Sequence, residues 1–455
     1  MSRDFFVVSG DTHIIEPTDL FKTRLPKHLR DRALWEEEFV LEKPLVPGGH
    51  TVFRKLHTPG YEGWTVSRYR QSPGPTPDGE PEHILRDMDL DGVDASVMFP
   101  NLSLFVLFTD DHELSMAHAR VYNDYIVERY LAYKDRMRPT AAIPLTDIDD
   151  AVAEIERTAR AGLGAILLPE IPPMPYWSPE YERVWAAAQA NGTPVFIHVA
   201  TGGVKVNEGQ SQTASTVKGM MEAVNMGKNP LDQTMVSNRS MGAANNAAAG
   251  PQRIIADLVS GGVCERFPDL HFNLIEFGAG WLVSYLGSMD KAWKTGTGQD
   301  PDWWLGFWDD SRAPDDQPAM GRLFNINTKW PWPLKPSDYV RRQIHVQFAD
   351  DPVAVAARNI TGLSTIMWGN DYPHAEGTFR SSKECIAENF VGVPDDEKAA
   401  ILGGTLAGVV GFDTSVKKAP GDRLTLSPPG SPRSGIVGRP GGPLPRAALA
   451  RRSAS

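Results

Sequence analysis

Two cysteines, Cys264 and Cys385, in 455 residues are too few for a disulfide framework or a cysteine-built zinc site, and they fit a reducing compartment. Long apolar runs are missing as well. Nothing approaches the roughly 18 consecutive apolar residues of a membrane span, and the opening MSRDFFVVSGDTH lacks the apolar stretch of a leader. Basic charge is in short supply: 46 Lys and Arg against 57 Asp and Glu leave a net charge of -11, the wrong sign for a phosphate-backbone partner. No Gly-x-Gly-x-x-Gly turn follows the first apolar run, which weakens a dinucleotide site. What these absences leave is a cytoplasmic protein acting on a small-molecule substrate, with no nucleic-acid or membrane partner. Its 41% apolar residues are enough for a sizeable core.

What is present is a repeated alternation. Short β-rich apolar runs occur at FFVVSGD (5–11), DASVMFP (94–100), RPTAAIPL (138–145), GAILLPE (164–170), TPVFIHV (193–199), HFNLIEF (271–277), IHVQFAD (344–350) and TIMWGND (365–371). Helix-like stretches lie between them, among them DHELSMAHARVYNDYIVERYLAYK, DIDDAVAEIERTARAG and SPEYERVWAAAQANG. This pattern predicts an α/β fold of the (β/α)8 TIM-barrel type, with a doubly wound open sheet as the alternative. Three long segments interrupt it, at about 42–82, 201–250 and 294–340. All read as loop-like insertions, and each follows a strand, so in a barrel they fall on the C-terminal face as lid or pocket wall.

The barrel is expected to occupy residues 1–413. From 414 to 455 the chain turns rich in Pro, Gly, Ser and Arg and is expected to be disordered. After Thr414 there are eight Lys and Arg against one Asp, a net of +7 that leaves about -18 on the preceding residues.

In a barrel of this type the chemistry sits at the C-terminal ends of the strands. There the sequence has Asp11 and His13 (DTH), His198 (FIHV), Glu276 (LIEF) and Asp371 (GNDYPH). Asp11 and His13 are two apart and share a face of an extended segment. Imidazoles and carboxylates converging from strands one, five and eight suit one divalent cation, zinc first and manganese second. Each residue alone has an ordinary reading, as a turn cap or a packed, hydrogen-bonded histidine. What joins them is that all sit at strand ends assigned without reference to them. In the long loop after strand one, Arg54, Arg68 and Arg70 are candidates to clamp a substrate carboxylate, with surface arginines as the plainer reading. Trp281 and the group Trp303, Trp304 and Trp308 are candidate walls of an aromatic pocket or simple packing residues. His374 stands beside the site by sequence, and Glu16 either orients a ligand or caps a helix.

DTHIIEPTDLF, RDMDLDGVDASVMFP, FIHVATGG, IEFGAGWLVSYLGSMD and MWGNDYPHAEG occur in that order across most of residues 5–412. On these motifs the chain resembles the amidohydrolase superfamily, in the branch that contains aminocarboxymuconate-semialdehyde decarboxylase and the resorcylate-type decarboxylases. The resemblance implies a metal-bearing barrel, usually in a homodimer. It places Asp11 and His13 on the first-strand ligand pair, His198 on the strand-five ligand, and Asp371 on the strand-eight aspartate, a metal ligand and proton-handling group. Two positions depart from the pattern. Asp11 stands where many members have a histidine, and Glu276 stands where decarboxylase relatives commonly have a histidine after strand six. Glu276 is therefore a candidate general acid–base or ligand. The expected reaction is non-oxidative decarboxylation of a small carboxylic acid, aromatic acids included. Metal-dependent hydrolysis of a small amide, lactone or ester is the alternative, and a barrel that serves as a non-catalytic scaffold is the alternative of another class.

Overall fold

The computed structural model describes residues 5–40, 50–57, 64–70, 79–109, 111–202, 248–296, 330–374 and 377–415. Each of the eight apolar runs contains strand. In chain order the strands are β1 (Val8–Ile14), β2 (Trp35–Val40), β3 (His50–His57), β4 (Trp64–Arg70), β5 (Ala95–Pro100), β6 (Met137–Pro139), β7 (Ala141–Ala142), β8 (Ile166–Ile171), β9 (Val195–Gly202), β10 (Phe272–Ile275), β11 (Ile344–Phe348) and β12 (Ile366–Trp368).

Two parallel sheets carry the fold, ordered β1-β5-β6 and β12-β11-β10-β9-β8-β7. The expected third strand divides at Thr140, which donates its N–H to Met98 O at 2.9 Å, so its first part pairs with β5 and its second with β8. At the other side, Thr12 bridges Tyr372 in parallel. There His13 N donates to Tyr372 O (2.6 Å) and Asp371 N to Asp11 O (3.0 Å). Parallel strands joined by helices in this order fit a (β/α)8 barrel.

Alternate strand residues divide between two apolar cores, as the period of two requires. Val8, Ala95, Val97, Phe99, Ala165, Leu167, Phe196, Ile275 and Met367 share one, into which Leu406, Ala407, Val410 and Phe412 pack. Their neighbours Met98, Ile166, Leu168, Val195, Ile197, Leu274 and Trp368 share the other with the helices. Three of the helices start where an aspartate satisfies a free N–H. Asp111 caps His112–Tyr130, Asp147 caps Ile148–Arg160 and Asp351 caps Pro352–Thr361, each accepting from a backbone N–H at 2.9–3.0 Å. Among the described residues no helix is long and apolar enough to cross a membrane.

The segment 42–82 corrects the sequence reading. Its Pro and Gly residues suggested loop throughout, but β2, β3 and β4 form an antiparallel sheet, Val40 facing Val52 and Leu56 facing Trp64. The Pro and Gly residues cluster between strands whose Thr, Val, Phe, Trp and Tyr suit a pleated surface. Arg54 and Arg68 are thus strand residues, opposite Glu38 or Val66 and opposite Val52. Most of the insertions at 201–250 and 294–340, and the tail from 416 onward, lie outside the described residues.

Candidate metal centre

β1 ends on Asp11 and His13, both fully buried. The His13 ring is fixed from behind, with Nδ1 2.9 Å from Pro100 O at the end of β5. Donating that N–H to the carbonyl leaves Nε2 as a lone pair aimed inward. His198 repeats the device, with Nδ1 2.9 Å from Val199 O. From β9 its Nε2 comes to 3.7 Å from Asp11 Oδ1 and 3.5 Å from Glu276 Oε2. His13 Nε2 lies 3.4 Å from both Asp11 Oδ1 and Asp371 Oδ1. His374 stacks over His13 at 3.9 Å between ring centroids and places Nδ1 2.9 Å from Asp371 Oδ1.

The cluster is closed at its base and open at its rim. Asp11 and His13 side chains are 0% exposed, whereas Glu276 is 29% and His374 21% exposed. Five buried atoms in it have no hydrogen-bond partner: both Asp11 oxygens, His13 Nε2, His198 Nε2 and Asp371 Oδ1. With both imidazoles neutral all five are acceptors, and buried acceptors facing one another are costly unless a proton or a metal cation lies between them. Proton affinities record the same field. Burial by itself would lower the His13 pKa, yet the Asp11 and Asp371 carboxylates raise it well above the usual imidazole range. Burial would raise the Asp371 pKa, yet His374 and His13 hold it below the usual carboxylate range.

One ligand atom each from Asp11, His13, His198 and Glu276 lie within 4.8 Å of one another, and His13, Asp371 and His374 form a second such group. A divalent cation bonded at about 2.0–2.3 Å holds donor atoms about 3–4.5 Å apart, so the residues fit a metal. Two imidazoles with up to three carboxylates are a donor set for zinc or manganese. The structure thus brings Asp11, His13, His198 and Glu276 into one group and places Asp371 with His13 and His374 in a second that shares His13. Trp281 is committed to its own turn, its Nε1 donating to Gly278 O (2.9 Å) and Phe277 O (3.2 Å). The side chains of Arg54, Arg68 and Arg70, and all of Trp303, Trp304 and Trp308, lie outside the described residues.

Three non-glycine residues among those described have positive φ: Ala200 (57°), Glu276 (65°) and Asp371 (51°). Ala200 lies near the end of β9, while Glu276 and Asp371 follow β10 and β12, and such conformations cost about 1–3 kcal/mol unless the surroundings impose them. Among the polar groups around these strand ends, sequence reasoning passed over Gln347 and Asp351 and read Glu16 as orienting a ligand or capping a helix. Gln347, a polar residue inside the apolar run IHVQF, accepts from Glu276 N at 2.7 Å. Asp351 accepts from Ala279 N and Gly280 N at 2.9 and 2.7 Å. Glu16 accepts from the N–H groups of Asn101, Leu102 and Ser103 at 2.8–3.2 Å, capping the turn after β5 and not the helix that follows it in sequence. Asn101 Oδ1 in turn meets His374 Nε2 at 3.1 Å.

A family model described as Amidohydrolase matches residues 64–412. No curated protein matches the sequence. Among solved structures, an amidohydrolase from Mycobacterium avium subsp. paratuberculosis K-10 superposes with a TM-score of 0.59 at 17% identity, covering 91% of this chain and 100% of the other. The 5-carboxyvanillate decarboxylase of Sphingomonas paucimobilis gives 0.55 at 19% identity, with 90% and 100% covered. That of Novosphingobium aromaticivorans, complexed with manganese and 4-hydroxy-3-methoxy-5-nitrobenzoic acid, gives 0.52 at 17% identity, with 72% and 80% covered. At these identities the likeness is one of fold.

Proposed function

The chain belongs to the amidohydrolase family, and from that premise we propose that it is a metal-dependent enzyme that decarboxylates a small aromatic carboxylic acid without oxidation. The observation that carries this reading is the set of buried polar atoms of Asp11, His13, His198 and Asp371 that face the cluster without a hydrogen-bond partner. The two parallel sheets form one closed (β/α)8 barrel in this reading, supported by the Thr12–Tyr372 bridge on one side and Thr140 on the other. Asp11, His13 and His198 would hold the cation, with Asp371 beside His13 and Glu276 beside His198 at 3.4 and 3.5 Å. Zinc and manganese both suit these donors. The carboxylate-rich set and the manganese in the Novosphingobium neighbour favour manganese more than the sequence did.

A divalent cation there supplies positive charge that orients a substrate carboxylate and an adjacent oxygen. The substrate enters at the exposed rim formed by Glu276 and His374, while the buried floor of Asp11 and His13 keeps water from the base of the site. As the bond to the carboxylate breaks, its electron pair stays on the ring carbon and carbon dioxide departs. The same carbon then takes one proton. Asp371, a carboxylate in the resting site, is the residue that takes this proton from solvent at the rim and passes it to the carbon, with His374 Nδ1 2.9 Å from its Oδ1. Glu276, more exposed and 3.5 Å from His198, is the second acid–base group. Glu276 also supports a hydrolytic reading, because a carboxylate at the rim can accept a proton from water attacking an amide, lactone or ester.

The test is release of carbon dioxide from a panel of hydroxylated aromatic acids by manganese- or zinc-reconstituted enzyme. Release that depends on metal supports the decarboxylase. Turnover of amides, lactones or esters with no carbon dioxide from any acid replaces it with the hydrolase.

A further inference from the structure

The helix Pro81–Asp91 carries Asp87 and Asp91 one turn apart, each 1% exposed. Two buried carboxylates on one helical face are expensive, and the chemistry above uses neither. Arg86 donates to Asp87 Oδ1 at 3.3 Å from the same helix, and further donors to both carboxylates come from the other end of the chain. Tyr372 Oη donates to Asp87 Oδ2 at 2.9 Å. Asn370 Nδ2 donates to Asp91 Oδ2 at 3.0 Å, and Ser382 donates its hydroxyl (2.5 Å) and its N–H (3.3 Å) to the same carboxylate. The helix therefore grips the residues immediately before and after Asp371.

Asn370 faces two ways. Its Oδ1 lies 2.8 Å from Ser9 Oγ and its N–H donates to that oxygen at 3.0 Å, tying Asp91 to β1 two residues before Asp11. Between the two gripped residues, Asp371 stands at φ 51° with its N–H on Asp11 O. Gly377 completes the packing: a Cβ there would lie 2.4 and 2.6 Å from the carbonyl oxygens of Asn370 and Asp371. A left-handed aspartate persists where its surroundings over-determine it, and these contacts do so.

We propose that Asp91, acting through Asn370, and Asp87, acting through Tyr372, are positioning residues for the metal centre: together they hold Asp371 in its left-handed conformation with its carboxylate toward His13. This rests on the reading that Asp371 belongs to that centre. It also accounts for two of the three carboxylates of RDMDLDG, Asp87 and Asp91, which lie about 280 residues from the loop they hold, while Asp89 pairs with Arg136 at 2.7 Å.

The experiment follows manganese affinity by titration and, in metal-free protein, hydrogen–deuterium exchange of the Asp371 and His13 amides. D91N puts an amide donor against the Asn370 and Ser382 donors, and Y372F removes the hydroxyl on Asp87. Both should speed exchange at 371 and 13, and D91N should weaken manganese binding about 10- to 100-fold, the usual effect of losing an outer partner of a metal ligand. In D91N/N370D the donor and acceptor change places, so affinity should return to within about threefold of wild type. A general loss of stability would not be repaired by that exchange of groups. Wild-type affinity and exchange in D91N and Y372F overturn the proposal. So does a folded D91N/N370D that stays weak if D91N itself does not fold. If wild-type protein takes up no manganese or zinc, the metal-centre reading fails, while exchange in the metal-free variants still decides whether the clamp exists.

Discussion

Replacing His198 by Ala removes one of the two nitrogen donors aimed into the cluster, an imidazole 2% exposed whose Nε2 faces Asp11 and Glu276 at 3.7 and 3.5 Å. Losing an outer partner of a metal ligand typically costs 10- to 100-fold in affinity, so 100-fold is a floor for losing a ligand. With free cation at about 100 times the wild-type Kd, the wild-type fold gains about 2.7 kcal/mol by mass action, whereas a variant weakened 100-fold gains RT ln 2, about 0.4 kcal/mol. The expected loss of metal-linked stability is therefore about 2.3 kcal/mol. The substitution also empties space beside Phe99, whose ring lies 5.4 Å from that of His198, and this lowers stability with or without metal. Each protein is therefore compared with its own metal-free form by calorimetric unfolding, alongside metal analysis after gel filtration. Full metal occupancy and an undiminished metal-dependent shift in His198→Ala would refute the ligand assignment.

Asp371→Asn should abolish turnover, by about a thousandfold or more, while Glu276→Gln slows it less, within the 10²–10⁴ range of a single acid–base group, and shifts the pH–rate profile; near wild-type turnover in Asp371→Asn contradicts the mechanism. His118 and His345 are held neutral in the fold, their pKa values pushed down to about 4 chiefly by burial, against hydrogen bonds to Leu114 O and Ser364 O. A depressed folded pKa means that the unfolded chain takes up the proton first, so their contribution is complete above about pH 6.5 and is lost as pH falls toward 4, about 3 kcal/mol for each. Urea midpoints from pH 7 to 4.5 should fall accordingly, with a flatter profile in His345→Gln, and a flat wild-type profile would count against it. Truncation after Thr414 should leave melting temperature and turnover unchanged, because the composition offers little to bury; a large drop in melting temperature would show that the tail docks.

Sequence alone located the strands of the two parallel sheets and the inner residues of the candidate site, because both are local. Each strand is a contiguous apolar run flanked by turn residues, and Asp11 and His13 share a face because they are two residues apart on one strand. His198, Glu276 and Asp371 were legible for the same reason, as polar residues where apolar runs stop. The sheet of β2, β3 and β4 was missed because Pro and Gly between the strands outweighed the strand pattern within them. Tertiary structure decided what depends on which strand ends meet. That Glu276 Oε2 falls 3.5 Å from His198 Nε2 follows from β10 pairing in register with β9, Ile275 opposite His198. That Asp91 meets Asn370, 279 residues away, follows from β1 and the residues after β12 coming together. Glu16 looked like a cap for its own neighbourhood and instead holds residues 101–103. Hydrogen bonds over such separations leave no period in the sequence, since a buried carboxylate needs donors within about 3 Å in space, wherever along the chain they come from.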